Sequence, residues 1–296
     1  MTVYGEVVEV QRLTPRLIRV VLGGDGLADF TPTEWTDQYV NALFLPDGAP
    51  YAVPFDVEEA RQLPPEQRPA GRRYTIRWWD EATRRVAIDF VVHGDVGVAG
   101  RWADRAAPGD RLQIVGPSGG YAPDPAADAH LLVGDESALP AIGASLERIP
   151  AGVPAVAVLV VDDADHELEL ACPGDLRLVW VHRADQATSL TEADAPAEPT
   201  GDDDVDLSDA AVLSPGATQL LAAVEAVELP PGRVQVFVHG EAAEVRAVRR
   251  HLLAERGIPK AGSSISPYWR RGRTDEEWRR IKAAWLAASE ADVPDT

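Results

Sequence analysis

The chain has 296 residues, 45% of them hydrophobic, which leaves room for one large or two ordinary domains with proper cores. A formal net charge of −20 argues against a nucleic-acid partner, because phosphate binding needs a concentrated basic face. No apolar run approaches the roughly 18 residues of a membrane span, and a single cysteine, Cys172, leaves no internal disulfide, cysteine-ligated zinc or iron–sulfur cluster.

The first residues, Met1-Thr2-Val3-Tyr4-Gly5-Glu6, carry neither a basic start nor an apolar signal core, so a cytoplasmic protein is expected. Residues 3–10 alternate weakly and 17–22 form a β-branched run, with Gly23-Gly24-Asp25-Gly26 as a turn cluster. Residues 39–44 are another strand, followed by a proline-rich stretch, 49–71, without periodicity, which reads as a loop. With the strand around residues 72–79 and those at 84–92 and 111–115, about six antiparallel strands are available, enough for a small closed barrel. Residues 1–124 are therefore predicted to form a first, β-barrel domain.

The segment 72–121 carries the chemistry. It opens with Arg72-Arg73-Tyr74-Thr75-Ile76-Arg77-Trp78-Trp79, continues through His93-Gly94-Asp95-Val96-Gly97-Val98-Ala99-Gly100-Arg101-Trp102, and ends at Gly116-Pro117-Ser118-Gly119-Gly120-Tyr121. An aromatic ring, guanidinium forks and glycine turns that let backbone N–H groups approach an anion suit a flat, anionic cofactor. Tyr74 can offer a ring face, and Arg72 and Arg77 can pair with phosphate. Tyr74 and Thr75 are equally good β formers, so an ordinary strand stands beside that reading. The turn at Gly97 to Trp102 should open a short helix whose first amides face phosphate. His93 reads as a turn residue at a strand end, since one histidine without a second ligand is poor grounds for a metal site.

After a polar linker at 124–128 the periodicity changes. Residues 129–133 are a short apolar strand ending at Gly134-Asp135; 136–149 read as a helix with Pro140 in its first turns. Buried strands follow at 153–161, 176–181 and 234–239, and helices at 217–227 and 241–255, the latter stopped by Gly257. Strands alternating with helices predict a parallel sheet with binding at the strands' carboxyl ends, where Gly134-Asp135-Glu136 and Gly240-Glu241-Ala242 fall. No Gly-x-Gly-x-x-Gly follows the first strand, and Asp135 and Glu136 are expected to cap the next helix rather than act as catalytic carboxylates. An acidic insertion at about 184–215, with Asp202-Asp203-Asp204, contains no lysine or arginine and reads as a solvated excursion, an acidic docking site for a basic electron donor being the sharper alternative. Thr274-Asp275-Glu276-Glu277 is a capping pattern opening a last helix with Trp278, Ile281 and Trp285. Residues 125–296 thus make a second, α/β domain.

Arg-x-Tyr-Thr at 72–75, followed by His-Gly-x-x-Gly-x-Ala-x-x-Trp at 93–102, resembles the flavin-binding signature of the siderophore-interacting proteins, FAD-dependent ferric-siderophore reductases of the ferredoxin-reductase-like superfamily. Gly134-Asp135-Glu136-Ser137-Ala138-Leu139-Pro140, Gly240-Glu241-Ala242 and Tyr268-Trp269-Arg270-Arg271-Gly272-Arg273 agree with it, in the same order and over nearly the whole chain. The resemblance implies an FAD barrel in which Arg72, Tyr74, Thr75, Arg77, His93, Gly94, Gly97, Ala99, Gly100 and Trp102 hold the flavin, Thr75 lying near its reactive nitrogen. It implies a nicotinamide-nucleotide domain in which NADH or NADPH approaches Gly134, Asp135, Glu136, Ala138, Gly240 and Glu241, with Trp269 near the cofactor. Arg270, Arg271 and Arg273 would meet a ferric siderophore or cofactor phosphates. The sequence departs from the family's pattern at Val98, where proline is usual, at Gly100, where a small hydroxyl residue is usual, and at Asn41 and Ser118, where many relatives carry a basic residue. The resemblance implies iron reduction, and a monomer is expected; a flavin enzyme with another acceptor, a ferredoxin donor, and a non-catalytic siderophore- or flavin-binding module are the alternatives.

Overall fold

A computed structural model of the chain describes residues 2–92, 97–183 and 215–293. Contacts divide it into two compact units, one of residues 1–122 with 140–148 and 168–171, the other of 123–139, 149–167 and 172–296.

The first unit is a closed antiparallel barrel of β1 (Thr2–Thr14), β2 (Leu17–Gly23), β3 (Tyr39–Phe44), β4 (Ala70–Asp80), β5 (Arg85–Val91) and β6 (Arg111–Ser118), in the order β1-β2-β5-β4-β3-β6. Inward positions supply the core: Val20, Leu22, Val40, Phe44, Ile76, Ile88, Phe90, Leu112 and Ile114 are all buried. Each fully buried side chain of this size stabilises the fold by about 1.5–3 kcal/mol. The stretch 49–71, expected as loop, contains a short helix, α1 (Val57–Arg61), capped by the Asp56 carboxylate, which accepts from the amides of Glu58 and Glu59. A helix of 5 residues is too short to show a 3.6-residue period, and its cap was the one available signal. The second motif forms α2 (Val98–Arg105); His93 and Gly94 lie outside the described residues.

The second unit is built on a parallel five-stranded sheet in the order β11-β10-β7-β8-β9: β7 (Ala129–Asp135), β8 (Pro154–Val161), β9 (Asp175–His182), β10 (Val234–Glu241) and β11 (Ser264–Trp269). The runs Leu131-Leu132-Val133 and Ala155-Val156-Ala157-Val158 are apolar and buried throughout, as the strands of a sheet covered on both faces are. Its helices are α4 (Pro215–Glu225), α5 (Ala242–Arg250), which continues into a π-helical turn at His251–Glu255, and α6 (Asp275–Ala291). Between β7 and β8, α3 (Leu139–Leu146) groups with the barrel by contact, Ser145 Oγ lying 2.8 Å from Thr36 Oγ1. It is shorter than the expected helix over 136–149, because the Asp135 carboxylate and carbonyl hold residues 136–138 in a tight turn.

β11 is a strand that pattern reading misses. Pro267 interrupts it and lacks an N–H, which an edge strand tolerates. The expected capping box is present: Thr274 accepts from the Glu277 amide and Glu277 accepts from the Thr274 amide. It starts α6 so that Trp278 and Trp285 pack on Ala242 of α5, ring centroids 5.8 Å apart. Among the described residues, no helix is long and apolar enough to cross a membrane.

Candidate functional site

In the barrel, an aromatic cluster brings the two motifs together. The Tyr74 ring on β4 lies 4.4 Å from Phe90 on β5 and 6.4 Å from Phe44 on β3, centroid to centroid. Trp102 on α2 packs 5.7 Å from both phenylalanines, so the same two core rings support the ring of one motif and the helix of the other. Arg72, two residues before Tyr74, is partly buried and donates from Nη1 to the Gly71 carbonyl at 3.0 Å. Thr75 is buried beside Tyr74.

The amino end of α2 is suited to an anion. Gly97 is its cap at φ 87°, a conformation open to glycine, and among the described residues no side chain caps it. Among the described residues nothing lies within 4 Å of where a Cβ at Gly97 would stand. The amides of Val98, Ala99 and Gly100 are first-turn donors without intrahelical acceptors. Ala99 is buried. At Gly100 a Cβ would meet Val91 O at 3.6 Å and Val92 Cα at 3.7 Å, ordinary contacts, so a Cβ would fit there. This donor set fits the pyrophosphate of a flavin dinucleotide, and the ring cluster fits its conjugated system.

Arg77 is placed differently from its expected phosphate role. Its guanidinium forms a two-pronged ion pair with Glu147, through Nη1 at 3.2 Å and through Nη2. Gly143 leaves room for it; a Cβ there would stand 3.2 Å from the Arg77 Nε. The barrel's Asn41 lies directly across from Arg73 in the β3–β4 register, and its side chain rests against Gly71, which has no Cβ to obstruct it.

In the second unit the carboxyl ends of β7 and β10 meet in a closed set of hydrogen bonds. Asp135 Oδ1 accepts from the Ser137 amide at 2.9 Å and hydroxyl at 2.5 Å; Oδ2 accepts from the Glu241 amide at 2.9 Å and Trp269 Nε1 at 2.7 Å. Gly240 has φ 146°, and a Cβ there would lie 2.8 Å from Asp135 Oδ2. The glycine is thus required by the carboxylate beside it. Gly134 and Ala138 are buried in the same turn. The motif reading gives Gly134, Asp135, Gly240, Glu241 and Trp269 to a nicotinamide nucleotide; in the structure the Asp135, Glu241 and Trp269 side chains bind other parts of the protein.

Glu241 caps α5, its Oε2 accepting from the amides of Ala243 at 2.6 Å and Glu244 at 3.2 Å, while Oε1 accepts from the Arg271 amide at 3.1 Å. Glu136 does not cap a helix; it pairs with Arg183 at 2.6 Å, and the same nitrogen lies 3.1 Å from Asp162. Glu244 is 2% exposed, and burial, with Asp135 and Glu241 adding repulsion, lifts its carboxyl to about 8. Arg271 lies with its guanidinium 3.5 Å from Glu244, Arg270 is partly buried, and Arg273 is exposed. Arg183, Asp162 and Glu244 escape sequence reasoning. The first two immediately follow strands, and the carboxyl-end rule was the one available pointer to them.

A closed barrel followed by a parallel five-stranded sheet is a fold shared with the FAD/NAD-binding domain of a nitric oxide dioxygenase from Vibrio cholerae, which superposes with a TM-score of 0.59 at 14% identity, covering 90% of this chain and 98% of that one. The sequence matches the siderophore-interacting FAD-binding domain over residues 6–121 and the siderophore-interacting protein family over 127–272. It is 40% identical over 291 residues to an uncharacterised protein of Mycobacterium tuberculosis, covering 97% of this chain and 96% of that one. It is 30% identical over 291 residues to the ferric vibriobactin reductase ViuB of Vibrio cholerae, covering 91% and 94%. With the NADPH-dependent ferric-chelate reductase of Escherichia coli it shares 36% over 198 residues, 65% of this chain and 76% of that one. A siderophore utilization protein from T. fusca superposes with a TM-score of 0.72 at 33% identity, covering 93% and 95%. The chain belongs to the siderophore-interacting protein family. Its barrel is the FAD-binding domain of an oxidoreductase.

Proposed function

We propose that this protein is an FAD-dependent ferric-siderophore reductase, taking electrons from NADH or NADPH and passing them to Fe(III) held by a siderophore. The observation that carries the flavin assignment is the shared support of Tyr74 and α2 by Phe44 and Phe90, with the uncapped amides of α2 beside it. When bound, FAD converts a two-electron donor into single electrons. The chain's own residues position it: the Val98, Ala99 and Gly100 amides donate to pyrophosphate, Arg72 adds a positive charge, and Tyr74 covers the ring system. Thr75 offers a hydroxyl beside it, and its burial keeps that hydroxyl in one place. Trp102 supports this arrangement from behind through Phe44 and Phe90. Iron leaves because hard oxygen ligands hold Fe(II) less tightly than Fe(III). Asn41, which departs from the family's basic residue, has Arg73 directly across the β3–β4 pair, so a cation is still available there for an anionic complex. Arg270 and Arg273 are the other candidates. We further propose a cytoplasmic monomer with its domain boundary near residue 124.

The test is an anaerobic absorption titration of the purified protein. The proposal expects a yellow protein that bleaches with NADH or NADPH and recovers its colour on adding a ferric siderophore. A colourless protein that cannot be loaded with FAD would remove the assignment of Arg72, Tyr74 and Thr75.

A further inference from the structure

Between α5, β11 and α6 lies a cavity of 90 Å³, room for more than one water molecule. Much of its wall is apolar, with Val245 of α5, Ile265 of β11 and Leu286 of α6. Two polar side chains in that wall are deeply buried: Arg249 is 8% exposed and Trp285 3%.

Both lack the partner that burial demands. Arg249 Nη1 donates to the Ser289 carbonyl at 2.6 Å, but among the described residues no carboxylate forms an ion pair with its guanidinium. Asp292 is taken by Arg246, whose Nη2 lies 2.9 Å from Oδ1, and Glu290 lies 3.5 Å from Lys260. The Trp285 Nε1 is buried and meets no acceptor among the described residues. The same holds for Arg246 Nη1, whose guanidinium stands 5.8 Å from the Trp285 ring centroid. In a chain of net charge −20, this neighbourhood is rich in donors and short of negative charge.

A water molecule satisfies an N–H, but it does not neutralise a guanidinium removed from bulk solvent, which is costly unless paired. A small anion does both. With Nη1 on Ser289, the other nitrogens of Arg249 form a planar fork of the kind that matches a carboxylate, and the apolar walls suit a short aliphatic chain. Lys260 and Glu290 also line the cavity and are well exposed, so they stand at its rim. An exposed pair of this kind contributes little, and parting it to admit an anion costs correspondingly little.

We propose that this cavity binds a small aliphatic carboxylate of about the size of acetate, held by the Arg249 guanidinium and the Trp285 indole N–H, and that the bound anion fastens α6 to α5 and β11. The site is independent of the flavin and of the electron donor.

The test uses the full-length, FAD-loaded protein at neutral pH, titrated with acetate and with acetamide, its neutral counterpart of the same shape. Ionic strength is held constant with gluconate, an anion larger than the cavity. In 15N–1H spectra the indole resonance that disappears in Trp285→Phe identifies the Trp285 N–H. That resonance should move saturably with acetate and stay still with acetamide, and Tm should rise with acetate alone. By calorimetry, Arg249→Met should weaken acetate binding at least about tenfold and Trp285→Phe about threefold, with FAD content unchanged in both. A Trp285 resonance that ignores acetate or responds equally to acetamide overturns the proposal, as does undiminished acetate binding by Arg249→Met. If that variant does not fold, the comparison of acetate with acetamide on the wild type still decides.

Discussion

At the scale of single residues, the second unit shows what a buried carboxylate does to its surroundings. Asp135 accepts four hydrogen bonds, so its charge is well solvated by the protein. Glu244 has no comparable set: it is 2% exposed and lies within the field of Asp135 and Glu241, with Arg183 and Arg271 giving partial relief. Its carboxyl, raised from the ordinary 4.5 to about 8, therefore holds a proton in the folded protein at neutral pH and releases it on unfolding. The folded state binds more protons than the unfolded one between those values. The contribution of this group to stability should consequently be fully present below about pH 4.5 and be lost as pH rises towards 8, by on the order of 5 kcal/mol. Glu244→Gln keeps the neutral shape without the titration. Urea unfolding at mildly acidic and mildly alkaline pH should show the variant gaining on the wild type as pH rises; a difference independent of pH would mean that Glu244 is ionised throughout.

At the scale of elements, α2 and β4 work as a pair because Phe44 and Phe90 support both. α2 is compromised at one position. Gly100 lies in its first turn, where glycine carries part of the about 1 kcal/mol against alanine that it costs in a helix interior. Since ordinary contact distances would surround a Cβ there, Gly100→Ser should be accepted without displacement. It should stabilise the helix by about 0.5 kcal/mol and give a bound pyrophosphate a further hydroxyl donor, worth about 1 kcal/mol or roughly fivefold in FAD affinity. Fluorescence titration of the apoprotein with FAD checks this, and a weakened affinity would show that the phosphates do not pass this turn. Elements of this kind are legible in sequence because their signals are local: Arg72, Tyr74, Gly97 and Trp102 lie within 31 positions, and the box from Thr274 to Glu277 announces α6. What sequence cannot carry is pairing across distance. Arg77 looks like a phosphate ligand until Glu147, 70 positions away, is found against it. Asp135 looks like a helix cap until Trp269, 134 positions on, is found donating to it. β11 and α1 are hidden for a different reason, since Pro267 breaks the alternation of one and the other is shorter than two turns.

At the scale of the whole molecule, charge sets how an iron complex arrives. With 48 acidic residues against 28 lysines and arginines, the net −20 surrounds the protein with a field that repels anions. Arg73 and Arg270 act against it only at short range, because at about 0.1 M salt the field of an exposed charge falls away over roughly 10 Å. An anionic ferric chelate must therefore cross a repulsive outer field before it reaches any arginine. Its kcat/KM should rise, by about two- to fivefold, as ionic strength increases from about 0.02 to 0.3 M. A neutral ferric chelate is the control and should respond little. Steady-state reduction of the two at matched pH and varied salt separates the outcomes: a kcat/KM for the anionic chelate that falls with salt would mean that the local arginines, not the net charge, govern the encounter, and would strengthen the case for Arg73 across from Asn41 as the substrate's first contact.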